Sequence, residues 1–451
     1  MTQERLSQVE VVILLVATPF LLFPSQLSVL ALLLLGVPWV LRWRIRGHPT
    51  VRTRMDVPIL CLLVMVPVAV WVSPLPQESL RKLLGIVLGA AYFYGVANTT
   101  RSRGWICWWV AVLIAAGVLI SLLALFGTDW ANYKTLPLQT VYGRLPRLLH
   151  NVTSYGEGGF HPNEVGGALV LLVPVALSAC LAAWVSNPGP AVAAYPALGG
   201  RQLPRVVRPL MAGLVSRAST LVVATLSLVV ITGVCILTQS RSAYLGLLVG
   251  LVGFGVWRSR WFLVALIVLL VATSALVWHV GLEDLTGALL QVESGRVAVG
   301  RFEIWQRAVS LMQDFPYTGV GLNMFPHVGD AMYPYPSAGL WARVPHAHNN
   351  LLQVGVDLGV PGLVAYVGLL VVFALCTWRA HRLSESRSMR LLASGVFAGM
   401  LAHQVYGLTD AITLGAKPGF LLWIMWGLMA ALWRLEASHQ PAPDGQAGSC
   451  A

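Results

Sequence analysis

Long apolar stretches, separated by short polar ones, recur along the whole chain. A hydrocarbon core about 30 Å thick needs roughly 20 apolar residues in a helix, and twelve stretches approach that length: 10–24, 26–41, 57–73, 83–98, 105–126, 165–185, 218–238, 242–257, 261–280, 361–378, 391–409 and 418–434. The pattern predicts an all-α polytopic membrane protein, with one membrane domain over 1–451 and about twelve transmembrane helices. The residues before the first stretch lack a small-residue cleavage site, so we expect that span to be retained.

The composition supports the membrane prediction. Hydrophobic residues make up 57% of the 451 positions and charged residues only 11%, whereas a soluble domain carries roughly 25% charge. A net charge of +12 would suggest nucleic acid in a soluble protein. Here the basic residues follow the apolar stretches, so membrane lipids are the expected surroundings and no nucleic-acid partner is predicted.

The basic residues also predict the orientation. Every short basic loop falls on one side if the twelve stretches all cross the membrane, and by the positive-inside rule that side is the cytoplasm. Both termini are then cytoplasmic. Two long loops, 127–164 and 281–360, fall on the opposite side and are rich in glycine, proline, aromatic and polar residues. Long ordered loops tend to carry function.

The end of the second long loop is polar where the chain is about to enter the membrane. His346 and His348 are followed by Asn349, and the segment 348–378 would be roughly 46 Å long as one helix at 1.5 Å per residue. The sequence Gly359-Val360-Pro361-Gly362 offers a break. We therefore predict a short interfacial helix starting near His348, followed by the true span.

Three interpretations of the histidines stay open. His-x-His is a spacing seen in metal sites, but a third ligand at helical spacing is missing, so we expect no metal. An ordinary interface residue is the second interpretation. The third is a general base, because imidazole is half-neutral near physiological pH.

Several basic residues lie on the predicted outer side, against the topological preference. Arg241 lies between two closely spaced spans, Arg81 and Lys82 form a pair at the start of another, and Arg301 begins a helical pattern in the second long loop. Such residues either contact lipid headgroups or solvent, or they bind an anion. Because the chain has no Asp-x-Asp motif, guanidinium groups rather than a divalent metal are expected to hold a phosphorylated substrate.

Four motifs together resemble one known family. His348-Asn349 followed by Gly359-Val360-Pro361-Gly362 is similar to the His-Asn…Gly-x-x-Gly signature of the bacterial O-antigen ligase and polymerase superfamily. The strings "TQSRSAYLG" at 238–246, "RFEIWQRAVSLMQDFPYTGVGLNMF" at 301–325 and "GFHPNEVGG" at 159–167 resemble its Ser-Arg, Arg-x3-Trp…Pro-x2-Gly-x-Gly and Pro-Asn elements. The twelve-span layout resembles the ligase branch best.

The resemblance implies a glycosyltransferase similar to the C-type membrane enzymes, in the bacterial inner membrane with its active site facing the periplasm. Its donor would be an undecaprenyl-diphosphate-linked glycan and its acceptor a sugar of the lipid A-core oligosaccharide, with no metal or other cofactor. Two sets of residues are expected to carry the site. The catalytic set is His348, Arg241 and Arg301; the substrate-binding set is Arg81, Lys82, Arg241, Arg301, His161, Asn163, Asn349 and His346.

Rival functions share much of this description. An O-antigen polymerase or a protein O-oligosaccharyltransferase would use the same donor with another acceptor, and the sequence does not show the acceptor. A polyprenyl-lipid transporter is the alternative outside enzymes. It would favour internal repeats and charged groups near the bilayer midplane, whereas this sequence has no obvious repeat and almost no ionisable residue at mid-span.

Overall fold

The described part of the chain is built from helices and contains no β-strand. The computed structural model describes residues 3–130, 138–149, 160–185, 217–264, 267–268, 271, 294–334, 344–412 and 414–438. The helices are α1 (Gln3–Leu22), α2 (Ser28–Arg46), α3 (Asp56–Trp71), α4 (Pro76–Thr99), α5 (Arg103–Gly127), α6 (Gln139–Tyr142), α7 (Pro162–Val185), α8 (Arg217–Leu237), α9 (Arg241–Arg258), α10 (Ser294–Asp314), α11 (Phe325–Met332), α12 (Asn350–Leu383), α13 (Arg387–Tyr406) and α14 (Phe420–Ser438), with a 3₁₀ turn at Lys417–Gly419.

The predicted all-α polytopic membrane fold is confirmed. Among the described residues, eight helices are long and apolar enough to cross a membrane, namely α1, α2, α4, α5, α7, α8, α12 and the helix that includes α14. The apolar helix α3 is shorter. Each predicted span coincides with a described helix except 261–280, which lies largely outside the described residues. The total of twelve spans therefore stays a prediction.

Small residues bring the central helices together. A Cβ atom on Gly246 of α9 would clash with the carbonyl oxygen of Ala402 on α13. A Cβ on Gly250, one turn later, would lie 2.6 Å from the carbonyl oxygen of Ala398 on the same helix. In lipid, such small residues let helix backbones approach closely and pack by dispersion. Helix α13 also packs against α7, and α14 against α4. The start of α9 is thus fixed relative to the end of α13.

Helix α12 is broken where the sequence predicts a break. Gly359 has φ 70° and ψ −177°, inside a helix that otherwise runs from Asn350 to Leu383. The turn after α10 fills the break, since the Val360 N–H donates to the Pro316 carbonyl at 2.7 Å. A Cβ on Gly359 would lie 2.8 Å from the Tyr317 backbone. The short helix before Gly359 and the longer one after it confirm the predicted break, whereas the interfacial position of the short helix stays a prediction.

Candidate active site

The loop that carries the two histidines is held by its neighbours on several sides. His348 has φ 45°, a left-handed value that is uncommon for a residue with a side chain. The His348 N–H donates to His346 Nδ1 at 3.2 Å, and the Ala347 N–H donates to Gln353 Oε1 at 2.7 Å. Trp305 of α10 donates from Nε1 to the His348 carbonyl at 3.4 Å. These contacts maintain a backbone conformation that the loop alone would rarely adopt.

Asn349 begins α12 and ties it to a distant loop. Its Oδ1 accepts hydrogen bonds from the N–H groups of Leu351 and Leu352, at 2.9 and 3.0 Å, which makes it the N-cap. Its Nδ2 donates to the Leu408 carbonyl at 3.1 Å. Asn349 was predicted to bind substrate. These three hydrogen bonds instead join it to other residues of the protein.

Asn350 holds the same loop from the buried side. Its backbone N–H donates to the Gly407 carbonyl at 2.7 Å, and its Oδ1 accepts from the Ile412 N–H at 3.0 Å. The two asparagines after the histidines thus fasten the segment 407–412, which lies between α13 and α14. That segment carries Asp410.

Asp410 completes the site, although the sequence does not predict it. His348 donates from Nδ1 to Asp410 Oδ1 at 3.1 Å, while His346 Nε2 lies 4.0 Å from the same oxygen. Burial raises the pKa of Asp410, but the hydrogen bond from His348, the nearby histidines and the Ala411 N–H outweigh burial and lower the pKa to about 2. Asp410 therefore stays a carboxylate. The only signal in the sequence was one acidic residue in the polar segment before the last span.

His346 is held in its neutral form. Burial, followed by repulsion from His348, lowers its pKa to about 3 despite the opposing effect of Asp410. A neutral imidazole can accept through Nδ1, as His346 does from the His348 N–H.

His346, His348 and Asp410 also bear on metal binding. Their candidate ligand atoms all lie within 4.8 Å of one another, so the three could hold a metal ion. The sequence shows no third ligand at helical spacing, whereas the structure brings Asp410 in from another loop. A metal bound at His348 Nδ1 would replace the hydrogen bond to Asp410.

A cavity of about 420 Å³ adjoins the histidine loop. His346 lines it together with Arg81 and Lys82, the predicted basic pair of α4. Lys82 donates from Nζ to Asn323 Oδ1 at 3.3 Å, whereas exposed Arg81 pairs with Glu78 at 3.1 Å. The cavity wall therefore offers cations beside His346.

Further charged groups of this cavity were not predicted as site residues. Lys417, in the 3₁₀ turn before α14, lines the cavity. Glu164, at the start of α7, lines it as well. A wall with ammonium, guanidinium and carboxylate groups suits a ligand that carries both phosphate and hydroxyl groups.

Arg241 lies beside the loop of Asp410. It is the first residue of α9 and is exposed. The next residue, Ser242, accepts a hydrogen bond at 2.8 Å from the hydroxyl of Thr409, which precedes Asp410. Among the described residues, Arg241 makes no hydrogen bond or ion pair. Its guanidinium is thus available to a ligand at the positive end of a helix dipole.

Arg301 approaches the same region from α10. It lies one turn before Trp305, which contacts His348, and residues four apart share a helix face. Its charge also acts on Tyr406, whose hydroxyl donates to the Asn163 carbonyl at 3.0 Å.

His161 and Asn163 lie at the start of α7, on the edge of the site. The Asn163 N–H donates to His161 Nδ1 at 3.3 Å, and the charge of His161 acts on His346. The structure thus gathers the predicted site residues from five parts of the chain on one side of the protein.

Residues 226–367 match the family model described as O-antigen ligase. This segment, which is less than half of the chain, is similar to the O-antigen ligase family. The ligase segment, residues 226–367, contains Arg241, Arg301 and His348. It also contains three of the four motifs, so the match supports the superfamily resemblance, whereas the motif at 159–167 lies outside it. The match to the family model supports a function of the O-antigen ligase or polymerase type. Asp410 and the cavity residue Lys82 lie outside the ligase segment, and no curated protein matches the chain.

Proposed function

We propose that the protein transfers an O-antigen glycan from undecaprenyl diphosphate to a sugar of the lipid A-core oligosaccharide. The hydrogen bond from His348 to Asp410 carries this proposal. A histidine that donates from Nδ1 to a carboxylate presents Nε2 with a free lone pair, which is the form that a general base requires. His348 is partly exposed, whereas Asp410 is buried, so the imidazole is the member of the pair that a substrate reaches.

The reaction needs one base and one stabilised leaving group. His348 Nε2 takes the proton from an acceptor hydroxyl as its oxygen forms a bond to the anomeric carbon of the donor. The bond from that carbon to the diphosphate oxygen breaks, and undecaprenyl diphosphate leaves with the electron pair. A single displacement of this kind inverts the anomeric configuration. Asp410 positions the imidazole and stabilises the imidazolium that forms.

The cations around the site are suited to the diphosphate. Arg241 and Arg301 lie on the Asp410 side, and Arg81 and Lys82 line the cavity beside His346. Guanidinium groups grip phosphate oxygens through paired charged hydrogen bonds. Stabilising the charge that develops on the leaving group lowers the barrier. In this proposal the inner membrane contains the protein, the site faces the periplasm, and no metal takes part.

Purified protein tests the proposal with one donor and three acceptors. Polyprenyl-diphosphate-linked glycan is mixed with lipid A-core oligosaccharide, with a second lipid-linked glycan, or with an acceptor peptide. We expect transfer to the lipid A-core acceptor. Transfer only to the second glycan or only to the peptide would replace the ligase assignment with a polymerase or a protein oligosaccharyltransferase.

Variants then test the base. We expect His348→Ala to lose transfer but keep donor binding, and His346→Ala to be milder. His327→Ala is the matched control, since His327 is an exposed histidine of α11. A folded His348→Ala protein that transfers normally would remove His348 from the mechanism.

A further inference from the structure

A second cavity lies at the opposite, predicted cytoplasmic, end of the protein. It has a volume of about 250 Å³ and lies where the end of α9, the end of α12 and the start of α13 meet. Arg258 comes from α9, His381 from α12, and Arg387 and Arg390 from α13. Three of the four are permanently charged at physiological pH. The described residues that line this cavity include no carboxylate.

The positive-inside rule accounts for basic residues on this side of the membrane, but not for their meeting at one cavity. The nearest acidic residue in sequence, Glu385, does not line the cavity, and its charge acts on Arg103. Cations that surround a cavity without carboxylates repel one another. A bound anion would relieve that repulsion.

The direction of α13 increases the positive potential. The helix begins at Arg387, with Ser386 as the N-cap, and its first turn holds no acidic residue. Helix N-termini carry a partial positive charge, so anions stabilise them and cations do not. Arg387 and Arg390 are exposed and lie at this positive end of the helix, where their charges are unfavourable. The same placement favours an anion, because backbone N–H groups and guanidinium groups can bind it together.

The surroundings of the cavity favour a lipid as the source of the anion. Trp257 lines the cavity, with its ring centre 5.2 Å from that of His381, and tryptophan is enriched at membrane interfaces. Helices α9 and α12, which carry Trp257 and His381, also bear exposed apolar side chains. Leu248 of α9 is 60% exposed and Leu375 of α12 is 54% exposed. In a protein that spans a bilayer, these side chains contact acyl chains.

We propose that this cavity binds the phosphate group of an anionic phospholipid from the cytoplasmic leaflet. Basic pockets between membrane helices on that side are known to hold anionic headgroups. The site is separate from the proposed transfer site at the other end of the protein. It rests on the predicted orientation but not on the proposed chemistry.

The test compares lipid-dependent stability in the full-length protein. The protein is placed in phosphatidylcholine nanodiscs with increasing phosphatidylglycerol, and the thermal unfolding midpoint is recorded. The test variant is Arg387→Gln/Arg390→Gln. The matched control is Arg44→Gln/Arg52→Gln, which removes two exposed arginines from the same predicted side. A further arm adds inorganic phosphate to pure phosphatidylcholine nanodiscs.

We expect phosphatidylglycerol to raise the midpoint of the native protein and of the control. The Arg387→Gln/Arg390→Gln variant should need roughly tenfold or more phosphatidylglycerol for the same rise, because it loses charged hydrogen bonds to the phosphate. An equal response in the native protein and this variant overturns the proposal. An equal rise with inorganic phosphate alone overturns the lipid as the source of the anion.

Discussion

His348 donates a hydrogen bond from Nδ1 to Oδ1 of Asp410 at 3.1 Å, although 62 positions of the chain separate the two residues. The bond fixes one tautomer of the imidazole and leaves Nε2 directed elsewhere. Asn349 and Asn350 fasten the Asp410 segment to the helix that follows His348. One short stretch of sequence therefore supplies the proposed base and the clamps for its carboxylate partner.

Asp410→Asn tests this pair. The amide has nearly the shape of the carboxylate but carries no charge, so it neither stabilises the imidazolium nor selects its tautomer. We expect turnover per folded molecule to fall by on the order of 10²- to 10⁴-fold, with donor binding largely kept. Asp330→Asn is the control, because that carboxylate pairs with Arg307 away from the histidines. Normal turnover in folded Asp410→Asn would contradict the role of the pair.

A chelator decides between the hydrogen-bonded pair and a metal site at His346, His348 and Asp410. If the hydrogen bond to Asp410 is the working state, treatment with EDTA followed by its removal should leave the rate of glycan transfer unchanged. Metal analysis of the purified protein should also find less than one equivalent of zinc or another transition metal. Loss of activity that only added metal restores would show that the three residues bind a metal instead.

The sequence predicted features that depend on nearby residues. The spans follow from runs of apolar residues, and the break at Gly359 follows from the glycines around Pro361 and from the excessive length of an unbroken helix. The external positions predicted for Arg241 and Arg301 come from counting spans and stay predictions.

Asp410 could not be found in this way, because its role depends on a contact between two loops distant in sequence. Asn349 illustrates the same limit. Its residue type suits both a ligand contact and a helix cap, and only the structure shows the cap and the bond to Leu408.

Gly359→Ala should destabilise the protein. A left-handed φ costs a residue with a Cβ atom about 1–2 kcal/mol, and the new atom would also lie 2.8 Å from the Tyr317 backbone. Gly36→Ala is the matched control, since nothing lies within 4 Å of a Cβ at that position in α2. We expect a lower thermal unfolding midpoint for Gly359→Ala and an equal or higher one for Gly36→Ala. Equal midpoints for Gly359→Ala and native protein would contradict the constraint at the break.

His346 should make stability depend on pH. Its pKa falls from 6.5 to about 3 on folding, so the unfolded chain binds the proton more tightly. The contribution is fully present above about pH 6.5 and is lost as pH falls towards 3. Asp410, with a pKa of about 2 against 3.8, loses its contribution only at lower pH. We expect a smaller drop in unfolding midpoint between pH 7 and 4 in His346→Gln than in native protein.

The comparison with His346→Gln isolates one group among several. His348, Asp410, Lys82 and His161 also act on His346, and they remain in both proteins. The difference between the two pH profiles therefore reports the loss of the His346 imidazole together with its effect on Asp410. Parallel profiles would show that His346 is not held neutral in the folded protein.

Variants of Arg241 distinguish a contact with the diphosphate from a role as a lipid anchor. Arg241→Lys keeps the charge but loses the planar pair of donors, and Arg241→Ala loses both. Since a charged hydrogen bond is worth roughly 1.5–3 kcal/mol, Arg241→Ala should lower transfer about ten- to a hundredfold or more, and Arg241→Lys should recover only part. Arg144→Ala, at another exposed arginine on the predicted outer side, should transfer normally.

An anchor would instead give full activity in Arg241→Lys, and reduced membrane expression without reduced turnover in Arg241→Ala. Turnover per folded molecule in the three variants distinguishes these outcomes.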